Sequence, residues 1–185
     1  MLEIEITLSD LFDVQADAMV NPANRQASLR FGSHINERIR KEGGNEIAAQ
    51  RREEGSIQLG EAVATTGGKL PFKYVIHAAI LSQYDLNPLF LLRIRPRTSE
   101  AVLRDSTRNS LLLANALPIR TIAFSPMGAG IGGMPLNKCA AIMLSEMIVF
   151  SGSHSDSGIQ KIIVAVRNRK TEAVFRATLE EILRR

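Results

Sequence analysis

The chain has 185 residues with 45% hydrophobic and 5% aromatic side chains, one cysteine, and a formal net charge of +4. This length and apolar content suit one well-buried globular domain and exclude a disordered chain, and no apolar run is long enough to span a membrane. The single cysteine, Cys139, excludes an internal disulfide, and the scarcity of aromatic residues argues against a stacking platform for single-stranded nucleic acid.

The N-terminal part predicts two strands and an interrupted helix. Residues 2–8 alternate apolar and polar side chains, which is typical of a strand with one buried face. This start has neither a basic segment nor an apolar core, so we expect no signal peptide and a cytoplasmic location. Residues 17–21 predict a short apolar strand, and residues 33–53 predict a helix that Gly43-Gly44 interrupts.

The remainder of the chain predicts alternating strands and helices. Strands are expected at 61–65, 73–79, 120–124 and 161–166, and helices at 98–117, 136–150 and 171–185. This alternation favours an α/β domain whose largely parallel sheet is covered by helices on both faces. Because no repeat or long linker divides the chain, we expect a single domain over residues 1–185.

The basic residues are scattered, with small clusters at Arg38–Lys41, Arg51–Arg52 and Arg93–Arg97. Most of these charges are expected to lie on solvated helix faces. The mild positive balance suits an anionic ligand, and it would also suit weak contact with nucleic acid.

The most informative segment is Ser125–Pro135, which contains four glycines between a predicted strand and a predicted helix. Glycine lets the backbone approach another molecule closely, and a helix N-terminus presents free N–H groups. The combination suits a phosphate or diphosphate. A tight turn that binds nothing would need only one or two glycines, so we interpret the segment as a ligand-binding loop.

The same loop, as Gly128-x-Gly130-x-x-Gly133, matches the GxGxxG dinucleotide fingerprint. A Rossmann fold also needs an acidic residue at the end of the next strand, about 20 residues on. Here the next strand ends in Val166-Arg167-Asn168, with no acidic residue, and too little sheet follows the loop. We therefore reject the Rossmann interpretation.

Two asparagines, Asn21 and Asn24, follow the second predicted strand, with Pro22 fixing a turn between them. An asparagine side chain both donates and accepts, so it can hold a ribose hydroxyl or brace a loop. We interpret Asn21 as a loop brace and Asn24 as a ligand contact. Asp10, after the first strand, taken alone reads as a turn or N-cap residue.

Together these segments resemble the macro domain, the ADP-ribose-binding module, and in particular small stand-alone prokaryotic macro proteins. The matching segments are Ser9–Leu11, Asp17–Asn24, Gly60–Thr65, Lys73–His77 and Ile122–Gly133. No single segment is decisive, but their order and spacing are specific over nearly the whole chain. The resemblance implies a three-layer α-β-α fold, with a mixed six- or seven-stranded sheet and a ligand cleft at the C-terminal ends of the strands.

The resemblance also implies roles for individual residues. Asp10 would accept a hydrogen bond from the adenine amino group, and the backbone of Leu11 would help to place the ring. Asn24 would touch the distal ribose, where catalytic members carry out their chemistry, and Asn21 would brace the loop. The diphosphate would be wrapped by the glycine loop, with Ser125, Gly128, Ala129, Gly130, Ile131 and Gly132 as candidate contacts.

A first glycine loop of the family is replaced here by Gly32, Ser33, His34 and Ile35. Ser33 and His34 add side chains where the backbone should approach phosphate, and His34 either adds a polar contact or narrows the pocket. Asn36 stands where hydrolase members often carry an Asp, and it cannot act as a carboxylate base. Arg167 stands where an aromatic residue can stack on adenine; a guanidinium can also stack on a base.

The sequence therefore predicts a module that binds ADP-ribose or a derivative of it, with no cofactor and no metal ion. A hydrolase acting on O-acyl-ADP-ribose or ADP-ribosyl esters is the alternative that Asn24 supports, and an RNA-binding macro domain would use the arginine clusters. Residues 82–97 hold an apolar cluster beside basic residues. This segment either packs on its own core or forms an exposed patch for homodimerisation.

Overall fold

The computed structural model describes residues 2–26, 29, 34–81, 97–130 and 132–184. Their strands are β1 (Glu3–Leu8), β2 (Ala18–Asn24), β3 (Ala62–Thr66), β4 (Tyr74–Leu81), β5 (Thr121–Phe124) and β6 (Lys161–Val166). Their helices are α1 (His34–Glu42), α2 (Asn45–Glu53), α3 (Glu100–Asn115), α4 (Leu136–Ser153) and α5 (Arg169–Leu183), with a 3-10 turn at Leu11–Asp13. Of the predicted dimerisation segment at 82–97, only Arg97 lies within the described residues.

The strands form one mixed sheet in the order β1-β6-β5-β2-β4-β3. All neighbouring strands are parallel except β3, which pairs antiparallel to β4. The C-terminal ends of the five parallel strands therefore meet at one edge of the sheet. The predicted α/β class with a mixed sheet is confirmed.

Apolar residues on both faces of the sheet hold the helices in place. Along β6, Ile162 and Val164 join a core cluster that includes residues of α3, α4 and α5. The alternating residue Ile163 joins a second cluster that includes residues of α1 and α2. The near-continuous apolar sequence of β6 reflects burial on both faces, as expected for an interior parallel strand. Across the described ranges, no helix combines the length and apolar character needed to cross a bilayer.

The second strand is longer than predicted, because β2 continues through Pro22 to Asn24 and no turn separates the two asparagines. On one side β2 pairs with β4 along its whole length. On the other side it pairs with β5 only at Ala18 and Met19, and the two strands then diverge. Pro22 lies beyond Met19, where β2 no longer pairs with β5. A proline is tolerated there, because no hydrogen bond to β5 is lost with its missing N–H.

The predicted interruption of a helix at Gly43-Gly44 is confirmed, whereas boundaries of α4 and α5 differ from the sequence prediction. The predicted interrupted helix forms two helices, α1 and α2, with the break at two glycines. A Cβ atom at Gly43 would lie only 2.6 Å from the Ile39 carbonyl oxygen, and Gly44 has a φ of +85°. Helix α4 continues through Ser153, beyond the predicted end at residue 150. Helix α5 begins at Arg169, not Thr171, because Asn168 is its N-cap and accepts a hydrogen bond from the Thr171 N–H at 2.9 Å.

Asp17 joins three strands at the opposite, N-terminal edge of the sheet. Its Oδ2 accepts hydrogen bonds from the N–H groups of Arg120 (2.7 Å) and Thr121 (3.1 Å), and its Oδ1 pairs with Lys73 Nζ at 2.7 Å. Burial raises the pKa of this carboxyl, but the hydrogen bonds from Lys73, Arg120 and Thr121 outweigh burial and lower the pKa to about 2. Asp17 therefore stabilises the fold far from the predicted cleft.

Candidate ligand-binding cleft

A cleft of about 570 Å³ opens at the C-terminal edge of the sheet, where the fold class predicts a ligand. Ten residues predicted from the sequence line this cleft: Asp10, Leu11, His34, Ile35, Ser125, Gly128, Ala129, Gly130, Gly132 and Arg167. They come from segments that are far apart in the chain. The fold brings them together because β1, β5 and β6 end side by side.

The other five predicted site residues are not among the described residues that line the cleft. Asn21 and Asn24 lie on β2 but do not contribute to the cleft wall. Gly32, Ser33 and Ile131 fall outside the described residues. The ligand contact assigned to Asn24 remains a prediction that this geometry does not support.

The second glycine loop needs glycine at some positions for reasons internal to the fold. Gly128 has a φ of +83°, which disfavours other residues. A side chain at Gly132 would overlap the Gly128 carbonyl oxygen, which already accepts the Met134 N–H at 3.0 Å. A side chain at Gly130, by contrast, would meet no atom of the described residues within 4 Å. Gly130 thus lines the cleft and has room beside it among the described residues.

Helix α4 begins directly after this loop and presents its N-terminus beside the cleft. Its N-cap is Pro135, which makes no capping hydrogen bond with a side chain, and its first residue, Leu136, lines the cleft. The first N–H groups of an α-helix have no intrahelical acceptor, and the helix dipole makes that end positive. Together with the glycine loop, the start of α4 can bind an anion.

The end of the cleft beside β1 is built around Asp10. Asp10 Oδ1 accepts the Phe12 N–H at 3.0 Å and pairs with Arg38 Nη1 at 2.8 Å. The Arg38 guanidinium carbon lies 4.0 Å from the centre of the Phe12 ring, a cation–π contact. Arg38 also pairs with Glu42, and that hydrogen bond raises the pKa of Arg38 despite partial burial.

Arg38 is a residue whose role the sequence analysis missed. It was expected on a solvated helix face, but it contacts two residues of the cleft wall, Asp10 and Phe12. The sequence does show Arg38 and Glu42 one helical turn apart, which indicates a helix-surface pair. No local pattern connects that pair to Asp10, because the contact depends on how α1 packs beside the 3-10 turn.

A buried polar chain runs beneath the cleft from α1 to β3. Asn21 Nδ2 donates to Asn36 Oδ1 at 2.5 Å and lies 3.1 Å from His77 Nδ1. His77 Nε2 lies 3.0 Å from Thr65 Oγ1, which donates to the carbonyl of Thr66. Thr65 Oγ1 therefore accepts a hydrogen bond from the His77 Nε2–H. His77 Nδ1 accepts a hydrogen bond from Asn21 Nδ2.

Burial lowers the pKa of His77 to about 3, with a smaller contribution from Arg51, so the ring is neutral. Asn21, Asn36 and His77 are each almost fully buried. They join β2, β4 and the start of α1 through hydrogen bonds. The position that could have carried a carboxylate base, Asn36, is engaged in this interior chain.

Arg51 is also buried, with 1% exposure, where the sequence predicted a solvated helix face. Its guanidinium donates to the carbonyls of Gly55 at 2.5 Å and Gln26 at 3.3 Å. Asn24 Oδ1 accepts a hydrogen bond from the Gln26 N–H at 3.1 Å. Both the N–H and the carbonyl of Gln26 are therefore hydrogen-bonded to side chains. Burial lowers the pKa of Arg51, and Glu54 partly offsets this effect. Asn24 and Arg51 thus fix the chain where it leaves β2.

Several described cleft residues are not among the site residues predicted from the sequence. They are Phe12, Pro22, Ile80, Leu81, Pro126, Leu136, Ala165, Asn168 and Thr171. Most are apolar and shape the walls, and several directly adjoin residues that the sequence did single out. Within the described part of the chain, no three His, Cys, Asp or Glu side chains converge as a metal site.

Comparisons with known proteins agree with this architecture. The sequence profile of the family described as "Macro domain" matches residues 20–143. An uncharacterised protein of Aquifex aeolicus is 34% identical over 149 residues, covering 80% of this chain and 83% of that protein. An uncharacterised protein of Mycobacterium tuberculosis is 31% identical over 180 residues, covering 97% of this chain and 45% of that protein. The chain thus spans less than half the length of the mycobacterial relatives it matches.

Solved structures give the same fold. The Oceanobacillus iheyensis macrodomain with ADP superposes with a TM-score of 0.79 at 22% identity, covering 98% of this chain and 92% of that one. The Trypanosoma brucei macrodomain in complex with ADP-ribose superposes with a TM-score of 0.77 at 24% identity, covering 98% and 69%. At these identities the comparison establishes the fold.

Proposed function

Because the chain belongs to the macro domain family, we propose that it binds ADP-ribose, or a molecule that carries ADP-ribose, in the cleft at the C-terminal ends of the strands. The observation that carries the proposal concerns Gly130, where an added side chain would meet no described atom within 4 Å. The other glycines of the loop are required by the fold, because Gly128 and Gly133 have positive φ and Gly132 has no room for a side chain. The adjoining N-terminus of α4 adds a positive dipole end. Two macrodomains of the same fold were solved with ADP or ADP-ribose.

The order of the strands supports one direction for the bound molecule along the cleft. Leu8 pairs with Val166, so Asp10 and Arg167 follow neighbouring strands at one end of the cleft. Asp10 accepts hydrogen bonds there, which suits the adenine amino group, and Arg167 can stack on the base. The glycine loop after β5 suits the diphosphate. Pro22 and Leu81, from β2 and β4, line the part left for the distal ribose.

Calorimetric titration with ADP-ribose, with AMP and NAD as comparison ligands, tests the proposal. We expect ADP-ribose to bind more tightly than either comparison ligand. AMP lacks the diphosphate, and NAD carries a bulky nicotinamide on the distal ribose. Binding that does not distinguish ADP-ribose from AMP would contradict a role for the glycine loop, and no binding would reject the proposal.

Hydrolysis of ADP-ribose esters lacks comparable support. Among the described residues that line the cleft, Asp10 is the only carboxylate, and it lies at the end assigned to the base. A hydrolase would have to activate water through the substrate itself. Incubation with O-acetyl-ADP-ribose and measurement of released acetate tests this alternative on the same preparation. RNA binding would instead show a steep loss of affinity with salt.

A further inference from the structure

The guanidinium of Arg38 is held on three sides in a fixed orientation. Nη1 pairs with Asp10 at 2.8 Å, while Nε and Nη2 bond the two oxygens of Glu42 at 2.9 and 3.2 Å. Its flat face lies over the Phe12 ring. A planar guanidinium that is fixed in this way sets the direction of the group it binds, which a flexible ammonium would not do.

The consequence falls on the Asp10 carboxylate. Among the described residues, its two donors are the Phe12 N–H and Arg38 Nη1, and both bond Oδ1. Two donors on one oxygen fix the orientation of the carboxylate and leave Oδ2 as the acceptor for a ligand. If Arg38 were removed, the single remaining bond to Phe12 would allow the carboxylate to rotate.

We propose that Arg38 is a positioning residue for base selection, which orients Asp10 so that the cleft accepts a 6-amino purine and rejects a 6-oxo purine. The inference rests on the proposed function, because it takes the Asp10 end of the cleft as the base site. A 6-amino group donates to a carboxylate oxygen, whereas a 6-oxo group presents a second acceptor to it. A site that is built around one hydrogen bond discriminates strongly against an analogue that lacks the partner.

The test compares ADP with IDP, whose bases differ in the group at position 6 and in the hydrogen that IDP carries on N1. We expect the wild-type protein to bind ADP at least about tenfold more tightly than IDP, the effect of losing one charged hydrogen bond. Arg38→Met keeps a long side chain that can pack on Phe12 but removes the donors. We expect this variant to bring the ADP-to-IDP affinity ratio to within about threefold, mainly by weakening ADP.

Arg40→Met is the matched control, because Arg40 is exposed on the same helix and should keep the wild-type ratio. An equal loss of ADP and IDP affinity in Arg38→Met would overturn the inference, because it would show a structural role alone. A wild-type ratio near one would also overturn it. If Arg38→Met does not fold, Glu42→Ala is the second variant, because it removes the acceptor of Arg38 Nε and Nη2. An unchanged ADP-to-IDP affinity ratio in Glu42→Ala would overturn the inference as well.

The two proposals fail in different ways. If the wild-type protein binds neither ADP-ribose nor ADP, the proposed function is wrong, and the role of Arg38 falls with it. If the wild-type protein binds ADP-ribose and prefers ADP to IDP, but Arg38→Met keeps that preference, only the role of Arg38 is wrong.

Discussion

Three glycines of the second loop look alike in the sequence but are required for different reasons. Gly128 adopts a positive φ, and Gly132 has no room for a side chain beside the Gly128 carbonyl. Gly130 is constrained in neither way. A glycine that the fold does not need is best explained by a molecule that approaches the backbone. A substitution at Gly130 should therefore change ligand binding without changing the fold.

We therefore predict that Gly130→Glu folds normally but loses ADP-ribose binding, by about a hundredfold or more. The new side chain would bring bulk and negative charge to the place assigned to the diphosphate. Calorimetry measures the affinity, and a thermal melt checks the fold. The matched control is Gly152→Glu near the end of α4, where a side chain would likewise meet no described atom within 4 Å. Normal binding by folded Gly130→Glu would contradict the phosphate-loop assignment.

Elements that leave the sheet near the cleft are fixed by buried polar groups. The chain after β2 is held through Gln26, whose N–H and carbonyl bond Asn24 and Arg51. Helix α1 is tied to β2 through Asn36 and Asn21. The Asn21–Asn36 and Arg51–Gln26 contacts join residues 15 and 25 positions apart. Each replaces hydrogen bonds to water that burial removes.

Arg51→Met should lower the free energy of unfolding by about 2 kcal/mol, because it leaves the Gly55 and Gln26 carbonyls without their charged donor. Urea denaturation measures this change. Arg52→Met, at the exposed neighbouring position, is the control and should lie within about 0.5 kcal/mol of the wild type. If the two variants are equally stable, the Arg51 contacts do not stabilise the fold.

The sequence predicted elements better than contacts between elements. Alternation in β1 and the apolar run of β6 indicated strands directly, and Gly43-Gly44 marked the break between α1 and α2. Asn168 went unrecognised as an N-cap, although asparagine is a favoured residue there. Arg38 and Arg51 were placed on solvated faces, because charge is a good indicator of exposure unless a partner is supplied by a distant segment. Only packing reveals such partners.

On the scale of the whole molecule, the two edges of the sheet differ in character. The C-terminal edge carries the cleft, and the N-terminal edge is closed by Asp17, which bonds residues at the starts of β4 and β5. A carboxylate with a lowered pKa stabilises the folded state only while it is ionised. The Asp17 contribution is therefore complete above its ordinary pKa of 3.8 and is lost as the pH falls towards about 2.

Asp17→Asn should consequently be less stable than the wild type at pH 7, by up to about 2 kcal/mol, and the difference should shrink as the pH falls from 4 to 2. Urea denaturation at several pH values measures the difference. Asp156→Asn, at an exposed position in a loop, is the control and should track the wild type throughout. A gap between Asp17→Asn and wild type that stays constant with pH would contradict the role of the Asp17 charge.

The divergence of β2 from β5 after Met19 has a kinetic consequence. The separation of these strands beyond Met19 belongs to the sheet itself, and Pro22, farther along β2, lines the cleft. We therefore expect ligand binding to require no movement of the sheet. In stopped-flow mixing, the observed association rate should therefore rise in direct proportion to ADP-ribose concentration, and a plateau at high concentration would reveal a slow rearrangement before or after encounter.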